Sequence, residues 1–260
     1  MLFVPPEALA SGFVNSPVGS HTSRTIMLRE LRTLLATCAN DATLEDYRKA
    51  VVDDNALQKR TVTTRRASLR QLRELYALDL QVLLFRTLRD LWDADEEAQP
   101  LLALLCAVAR DPLLRATADA VLDTLPGEPV TAEMLAAAVN AAFPGRYKPT
   151  VLHVTGRNVV SSWQQSGHLA GRATKVRIRA GCRPTTVAYA LLLGHLCGAS
   201  GNALFQTLWA RLLDAPEHIL RSQAAIASQE GWIDYRHAGG MTEVGFRYLL
   251  RDIPPERILV

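Results

Sequence analysis

Residues 134–213 contain no aspartate and no glutamate, although the chain has 26 acids in 260 residues. The same eighty residues hold nine of the 29 bases: Arg146, Lys148, Arg157, Arg172, Lys175, Arg177, Arg179, Arg183 and Arg211. The window therefore carries +9 and the remainder −6, within a formal net charge of +3. A near-neutral chain that gathers its positive charge in one place suits a polyanion, most commonly a nucleic acid. Other scarcities exclude other classes. The four cysteines, Cys38, Cys106, Cys182 and Cys197, form no CxxC pair and no metal-ligand spacing, as in a reduced cytoplasmic protein. No signal peptide is evident, because Pro5-Pro6 interrupts the short apolar start. The longest apolar runs, 101–109 and 187–197, fall well short of the ~20 residues that cross a bilayer. Aromatic residues make up only 6%, few for stacking on unpaired bases.

Catalytic signatures are also missing. There is no GxxxxGK[ST], HExxH or GxSxG, and the histidines do not cluster. Without acids, the basic window holds no internal His–carboxylate couple, so a catalytic triad there needs a distant partner. The expectation is a non-enzymatic protein with no cofactor, no metal and no small-molecule substrate.

What is present is mostly helix. Leu and Ala dominate, and apolar residues recur at helical spacing. Residues 1–20, rich in Pro and Gly, read as an irregular lead-in. A first helix carries Ile26, Leu28, Leu31, Leu34 and Leu35, with Thr22 or Ser23 as its cap. Thr43-Leu44-Glu45-Asp46 is a capping box that opens a second helix, to about residue 55 or 57. A connector then leads into a basic helix with Leu69, Leu72, Leu75 and Tyr76 inward. Helix, turn and basic helix is the order of a helix-turn-helix. Its candidate nucleic-acid contacts are Lys59, Arg60, Arg65, Arg66 and Arg70. Arg66, Arg70 and Arg73 share one stripe, and pairing with Glu45, Asp46, Asp53 and Asp54 is the alternative use of these bases. Further helices are expected at 82–92, 100–110 and 113–122.

The turn at 125–129 is the best domain boundary. Beyond it, helices at 131–142 and 149–165 precede a hairpin at 168–179, with Gly156 weakening the second helix. Val176 and Ile178 alternate with Lys175, Arg177 and Arg179, which predicts a half-buried strand with a basic outer face. Helix, helix and basic hairpin is a winged-helix order, with Lys148, His153, Arg157, Ser161 and Ser162 on the second helix and Arg172, Lys175, Arg177 and Arg179 on the wing as candidate DNA contacts. A solvated basic strand in a small domain is the alternative. Helices at 185–196, 202–213 and 217–230 and a hairpin at 232–246 complete the chain. The mixed charge of that last hairpin favours a structural or protein-contact role. The expected fold is mainly α: a lead-in (1–20), an N-terminal helical module (21–125) and a C-terminal helical module (126–260), with small winged-helix-type β-hairpins.

Three stretches carry a family resemblance: Ser23-Arg24-Thr25-Ile26-Met27-Leu28-Arg29-Glu30-Leu31; Asp54-Asn55-Ala56-Leu57-Gln58-Lys59-Arg60-Thr61 with Thr64-Arg65-Arg66; and Ser161-Ser162-Trp163-Gln164-Gln165-Ser166-Gly167-His168-Leu169. In that order and spacing, over residues 20–250, the chain resembles the BrxA family of bacterial bacteriophage-exclusion (BREX) defence systems. The resemblance implies a mainly helical DNA-binding protein without enzymatic activity, acting beside larger defence components. The reading is duplex DNA binding through backbone phosphates. An adaptor within the defence complex and an RNA-binding helical protein are the alternatives.

Overall fold

A computed structural model describes residues 4–17 and 19–251, and these are mainly helical with two small antiparallel hairpins. The α-helices are α1 (Leu28–Thr37), α2 (Leu44–Arg48), α3 (Val62–Tyr76), α4 (Leu83–Trp92), α5 (Gln99–Arg110), α6 (Pro112–Arg115), α7 (Ala118–Leu122), α8 (Ala132–Ala142), α9 (Pro149–Gln165), α10 (Pro184–Leu196), α11 (Leu208–Arg211) and α12 (Glu217–Gln229). One hairpin pairs β1 (Leu169–Ala170) with β2 (Val176–Arg177), and the other pairs β3 (Asp234–Ala238) with β4 (Met241–Gly245).

Two helices form the centre. In α5 every residue from Leu101 to Ala109 is buried, and in α10 every residue from Thr185 to Gly194 is. A helix apolar on all sides must be enclosed by others. The two pack on each other and on α4, where the Tyr189 hydroxyl donates to Leu84 O (2.9 Å). The turn at 125–129 is exposed, yet buried side chains before and after it belong to one hydrophobic cluster.

The stretch 4–17 of the lead-in is folded back onto this centre. It contains a 3-10 turn, Pro6–Ser11. Arg115, itself buried, donates to Val14 O (2.7 Å), Val108 O (3.0 Å) and Ala109 O (3.1 Å). Phe13 meets Trp209 edge to face at 5.5 Å.

Several helix ends follow local chemistry. Thr43 and Asp46 form the expected reciprocal box at α2. Thr61 caps α3 and Thr131 caps α8. Pro149 opens α9, where a missing N–H costs nothing. Gly156 sits at the crossing of α8 and α9. A Cβ there would lie 2.2 Å from Ala132 O, so only glycine permits this approach.

Other ends depart from expectation. Neither Thr22 nor Ser23 caps α1. Ser20–Thr22 is a 3-10 turn, the chain then runs on without helix, and Met27 turns left-handed (φ 52°) before the helix starts at Leu28. Long-range bonds compete with the local cap here: His21 N donates to Asp111 and Ile26 N to Ser162. After α2 the chain passes through a π-turn, Lys49–Asp53. The stretch 202–213 divides at Thr207, whose extended backbone separates a 3-10 turn, Gly201–Gln206, from α11. The stretch 113–122 likewise splits into α6 and α7. No helix among the described residues is long and apolar enough to cross a membrane.

Candidate nucleic-acid interface

The first hairpin is wider than its two-residue strands suggest. Pro129 bridges Val176 on the side of β2 away from β1. Arg177 N donates to Glu128 O (2.8 Å), Gly127 N to Arg177 O (2.8 Å) and Val130 N to Lys175 O (2.9 Å). Thus β2 lies between residues 127–130 and β1, all antiparallel, with α8 and α9 joining the outer two.

At the tip, Gly171 takes φ +105°, and a Cβ there would strike Thr174 O. Lys175 Nζ donates to Arg172 O (2.8 Å) and Gly171 O, closing the loop. Arg172 and Arg179 are exposed and meet no carboxylate among the described residues.

Arg177 corrects the expected phase. It does not face outward: it is 2% exposed, while Ile178 is 38% exposed. Its guanidinium pairs with both oxygens of Asp214 (2.8 Å each), and its Nε donates to Val121 O (2.9 Å). A bidentate carboxylate with carbonyl acceptors satisfies an inward arginine. Alternation alone could not see this partner, because Asp214 lies just beyond the acid-free window. Arg177 is therefore withdrawn from the candidate contacts.

On α9, Lys148 stands at the start and His153 and Arg157 are exposed. Ser161 is half-buried and accepts from Gln165 Nε2 (3.3 Å). On α3, Arg66 and Arg70 are exposed, as is Arg60 just before it. Arg70 lies 3.8 Å from Glu74. Two bases are otherwise engaged. Lys59 pairs with Glu30 (2.8 Å), and half-buried Arg65 donates to Val52 O (3.0 Å) and Lys59 O (3.4 Å). Both fasten the turn before α3 and leave the candidate contacts. Three of the four acids weighed as partners of α3 are taken up elsewhere: Glu45 and Asp53 hold Arg48, and Asp46 holds Thr43.

Distant acids also neutralise part of the basic window. Arg183 pairs with Asp95 and Glu97, and Arg211 with Asp119 and Asp123. Six bases of the nine, Arg146, Lys148, Arg157, Arg172, Lys175 and Arg179, keep no carboxylate partner among the described residues.

A second polar centre was not foreseen. His21 Nδ1 lies 2.7 Å from Asp111 Oδ2, and its Nε2 lies 2.8 Å from Ser162 Oγ. This is the order of a hydrolase triad, but all three side chains are buried, so Ser162 faces the interior and not a nucleic acid. Ser162 Oγ also accepts from Ile26 N (3.0 Å) and donates to Asn158 O (2.9 Å), so the hydroxyl has no open side. The group ties the Ser20–Thr22 turn, the start of α6 and the middle of α9 together. Burial works to raise the Asp111 carboxyl, but the pull of the His21 ring and hydrogen bonds from His21 and the Leu114 amide hold it below the ordinary aspartate value. The distant acid that a triad required is present, at a sequence separation of 90 residues that no local pattern reveals.

His168 anchors the foot of the wing. Its Nδ1 meets Ser166 Oγ (2.8 Å) and its Nε2 meets Leu212 O (3.0 Å). Burial first, and then the Arg177 charge, push its pKa down to about 4. A folded pKa below the unfolded one, about 6.5, means the unfolded chain takes the proton first. The stability from neutral His168 is thus present above about pH 6.5 and is lost as pH falls towards 4. Unfolding free energy should drop by about 2 kcal/mol between pH 7 and 5, and His168→Gln should flatten that slope. Urea midpoints across this range test it; an equal slope in the variant would remove His168 as the cause.

In the second hairpin, Arg221 of α12 joins Asn202 (3.1 Å), Thr242 (2.9 Å) and Glu217 (2.7 Å) and lies 4.5 Å over the Phe205 ring. Among the described residues no three His, Cys, Asp or Glu side chains are grouped to hold a metal ion. Compared with protein-family models and with curated proteins, the chain has no match.

Proposed function

We propose that the protein binds duplex DNA, chiefly through backbone phosphates, with α9 and the β1–β2 hairpin as a winged helix. The observation that carries the reading is the set of six bases without a carboxylate partner among the described residues, ranged along the start and exposed face of α9 and around the hairpin. The connectivity supports it. Residues 127–130, α8, α9, β1 and β2 follow in winged-helix order, and β2 pairs with both outer segments. In such a unit α9 enters the major groove and the hairpin lies along the backbone. The turn before α3 and its exposed Arg60, Arg66 and Arg70 form a second, helix-turn-helix-like contribution. No enzymatic activity is needed for this role. The resemblance to the BrxA family supports placing it in bacteriophage exclusion, with other BREX components as its partners.

Reversing Arg172, Lys175 and Arg179 to Glu should abolish duplex binding at physiological salt while leaving the melting temperature unchanged. The milder alanine triple should make the slope of log affinity against log salt about 2.7 less negative, at roughly 0.9 for each phosphate contact. Salt-titrated anisotropy with duplex DNA, single-stranded DNA and RNA measures both. Wild-type binding by the reversed protein would sink this reading, and tighter binding of RNA would replace the ligand.

A further inference from the structure

The two basic helices, far apart in sequence, are joined in space by residues 20–28. On one side, Asn158 Nδ2 donates to His21 O (2.9 Å), while Ile26 N and Leu28 N donate to Ser162 Oγ (3.0 Å) and Gln165 Oε1 (3.1 Å). On the other, Ser20 Oγ donates to Glu74 Oε2 (2.6 Å) and Gln71 Nε2 donates to Ser23 Oγ (3.2 Å). As residues 20–28 advance, their contacts climb α9 from Asn158 through Ser162 to Gln165, while on α3 they fall at Glu74, Gln71 and, where the Tyr76 hydroxyl donates to Ile26 O, Tyr76. The helices thus flank the segment on either side.

The core lies beneath, where Val159 and Trp163 of α9 and Leu72 and Leu75 of α3 are buried. Each helical residue turns the side chain by about 100°. From the contact row on α9 the surface turns outward through Ser161 to Arg157. On α3 it turns outward from Gln71 and Glu74 through Arg70 to Arg66. On both helices the turns from the contact row, outward one way and to the core the other, have the same rotational sense; with one core beneath both, that sets the helices antiparallel and opens both outward turns onto one side. The segment adds its own base between them: Arg24 is exposed, and among the described residues its guanidinium donates only to Ser23 O (3.1 Å). The acid at the margin, Glu74, is engaged by Ser20.

We infer that Arg24 is the centre of one cationic track, running from Arg66 and Arg70 across residues 20–28 to Arg157, and that a single nucleic-acid duplex lies along it. The inference rests on the duplex-binding reading and adds its footprint: both basic helices act on the same molecule. Neither charge count nor helical pattern marks Arg24, because it is a lone base in an extended segment.

The test titrates one short DNA duplex with salt against the full chain and three variants: Arg24→Ala, the pair Arg66→Ala with Arg70→Ala, and the wing reversal. Arg24→Ala should loosen binding about eightfold at 0.1 M salt and make the salt slope about 0.9 less negative, the share of one phosphate contact. The α3 pair should loosen the same duplex at one-to-one stoichiometry, and melting temperatures should match the wild type. Unchanged affinity and slope in Arg24→Ala, with binding still abolished by the wing reversal, would overturn the track and leave the winged-helix reading standing. Two duplexes bound per chain, with the α3 pair affecting only one, would also overturn it. Failure of the wing reversal to weaken binding would instead sink the underlying reading.

Discussion

Asp111→Ala should destabilise the fold by about 3–5 kcal/mol, because it leaves several buried donors without the carboxylate that satisfies them. Asp111 is 1% exposed and His21 is fully buried. One carboxylate oxygen accepts from the His21 ring (2.7 Å) and the His21 amide (3.2 Å). The other caps α6, accepting from Leu113 N (2.9 Å) and Leu114 N (3.3 Å). Alanine strands the imidazole and strips the cap, itself worth about 1 kcal/mol. Asp111→Asn keeps an acceptor and loses the charge, and should fall between alanine and wild type. The damage should also have a place. With His21 loosened, the Ile26 and Leu28 amides, which bond to side chains of α9, should exchange with solvent faster than those of α10. Urea unfolding with hydrogen exchange reads both effects. A loss below 1 kcal/mol, or uniform exchange, would show that the cluster is not the latch described.

The same latch explains part of what the sequence conceals. The segment from Pro149 to Gln165 is read correctly to both ends because its signals are local: a proline at the first turn, a Ser-Gly stop and apolar residues at helical spacing. The Thr43–Asp46 box and the inner face of α3 are legible for the same reason. The start of α1 is not, because the chain from Ser20 to Met27 is shaped by partners near residues 71–76, 111 and 158–165. The break at Thr207 is missed because a serviceable helical pattern runs through it. Within the candidate interface, the exposed bases of the wing tip and of α9 stand out as soon as the acids are counted. Which bases are already neutralised does not. Arg183 and Arg211 look as available as Arg172 until acids far away in sequence, such as Asp123 beside Arg211 at a separation of 88 residues, come alongside. An acid-free stretch of sequence is thus not an acid-free region of space.

Arg177 is where the difference has the largest consequence. If it contacted phosphates, Arg177→Ala would make the salt slope of DNA binding about 0.9 less negative and leave stability alone. Its burial predicts the reverse. Alanine leaves the Asp214 carboxylate, whose side chain is only 16% exposed, with the Ala180 amide (3.0 Å) in place of a bidentate guanidinium. It also takes donors from Val121 O and His168 O. The expected loss is about 3–5 kcal/mol, which lowers the melting temperature by on the order of 10 °C. The salt slope of the fraction that remains folded should match the wild type. Combining Arg177→Met with Asp214→Asn removes both charges together, so it should recover part of the stability that Arg177→Ala loses. Thermal melts and salt titrations on the same three proteins separate the two roles. A normal melt with a shallower slope in Arg177→Ala would return this residue to the DNA-facing side of the wing; a low melt with an unchanged slope fixes it as the bolt that holds β2 to Asp214, beneath the bases that are free to bind.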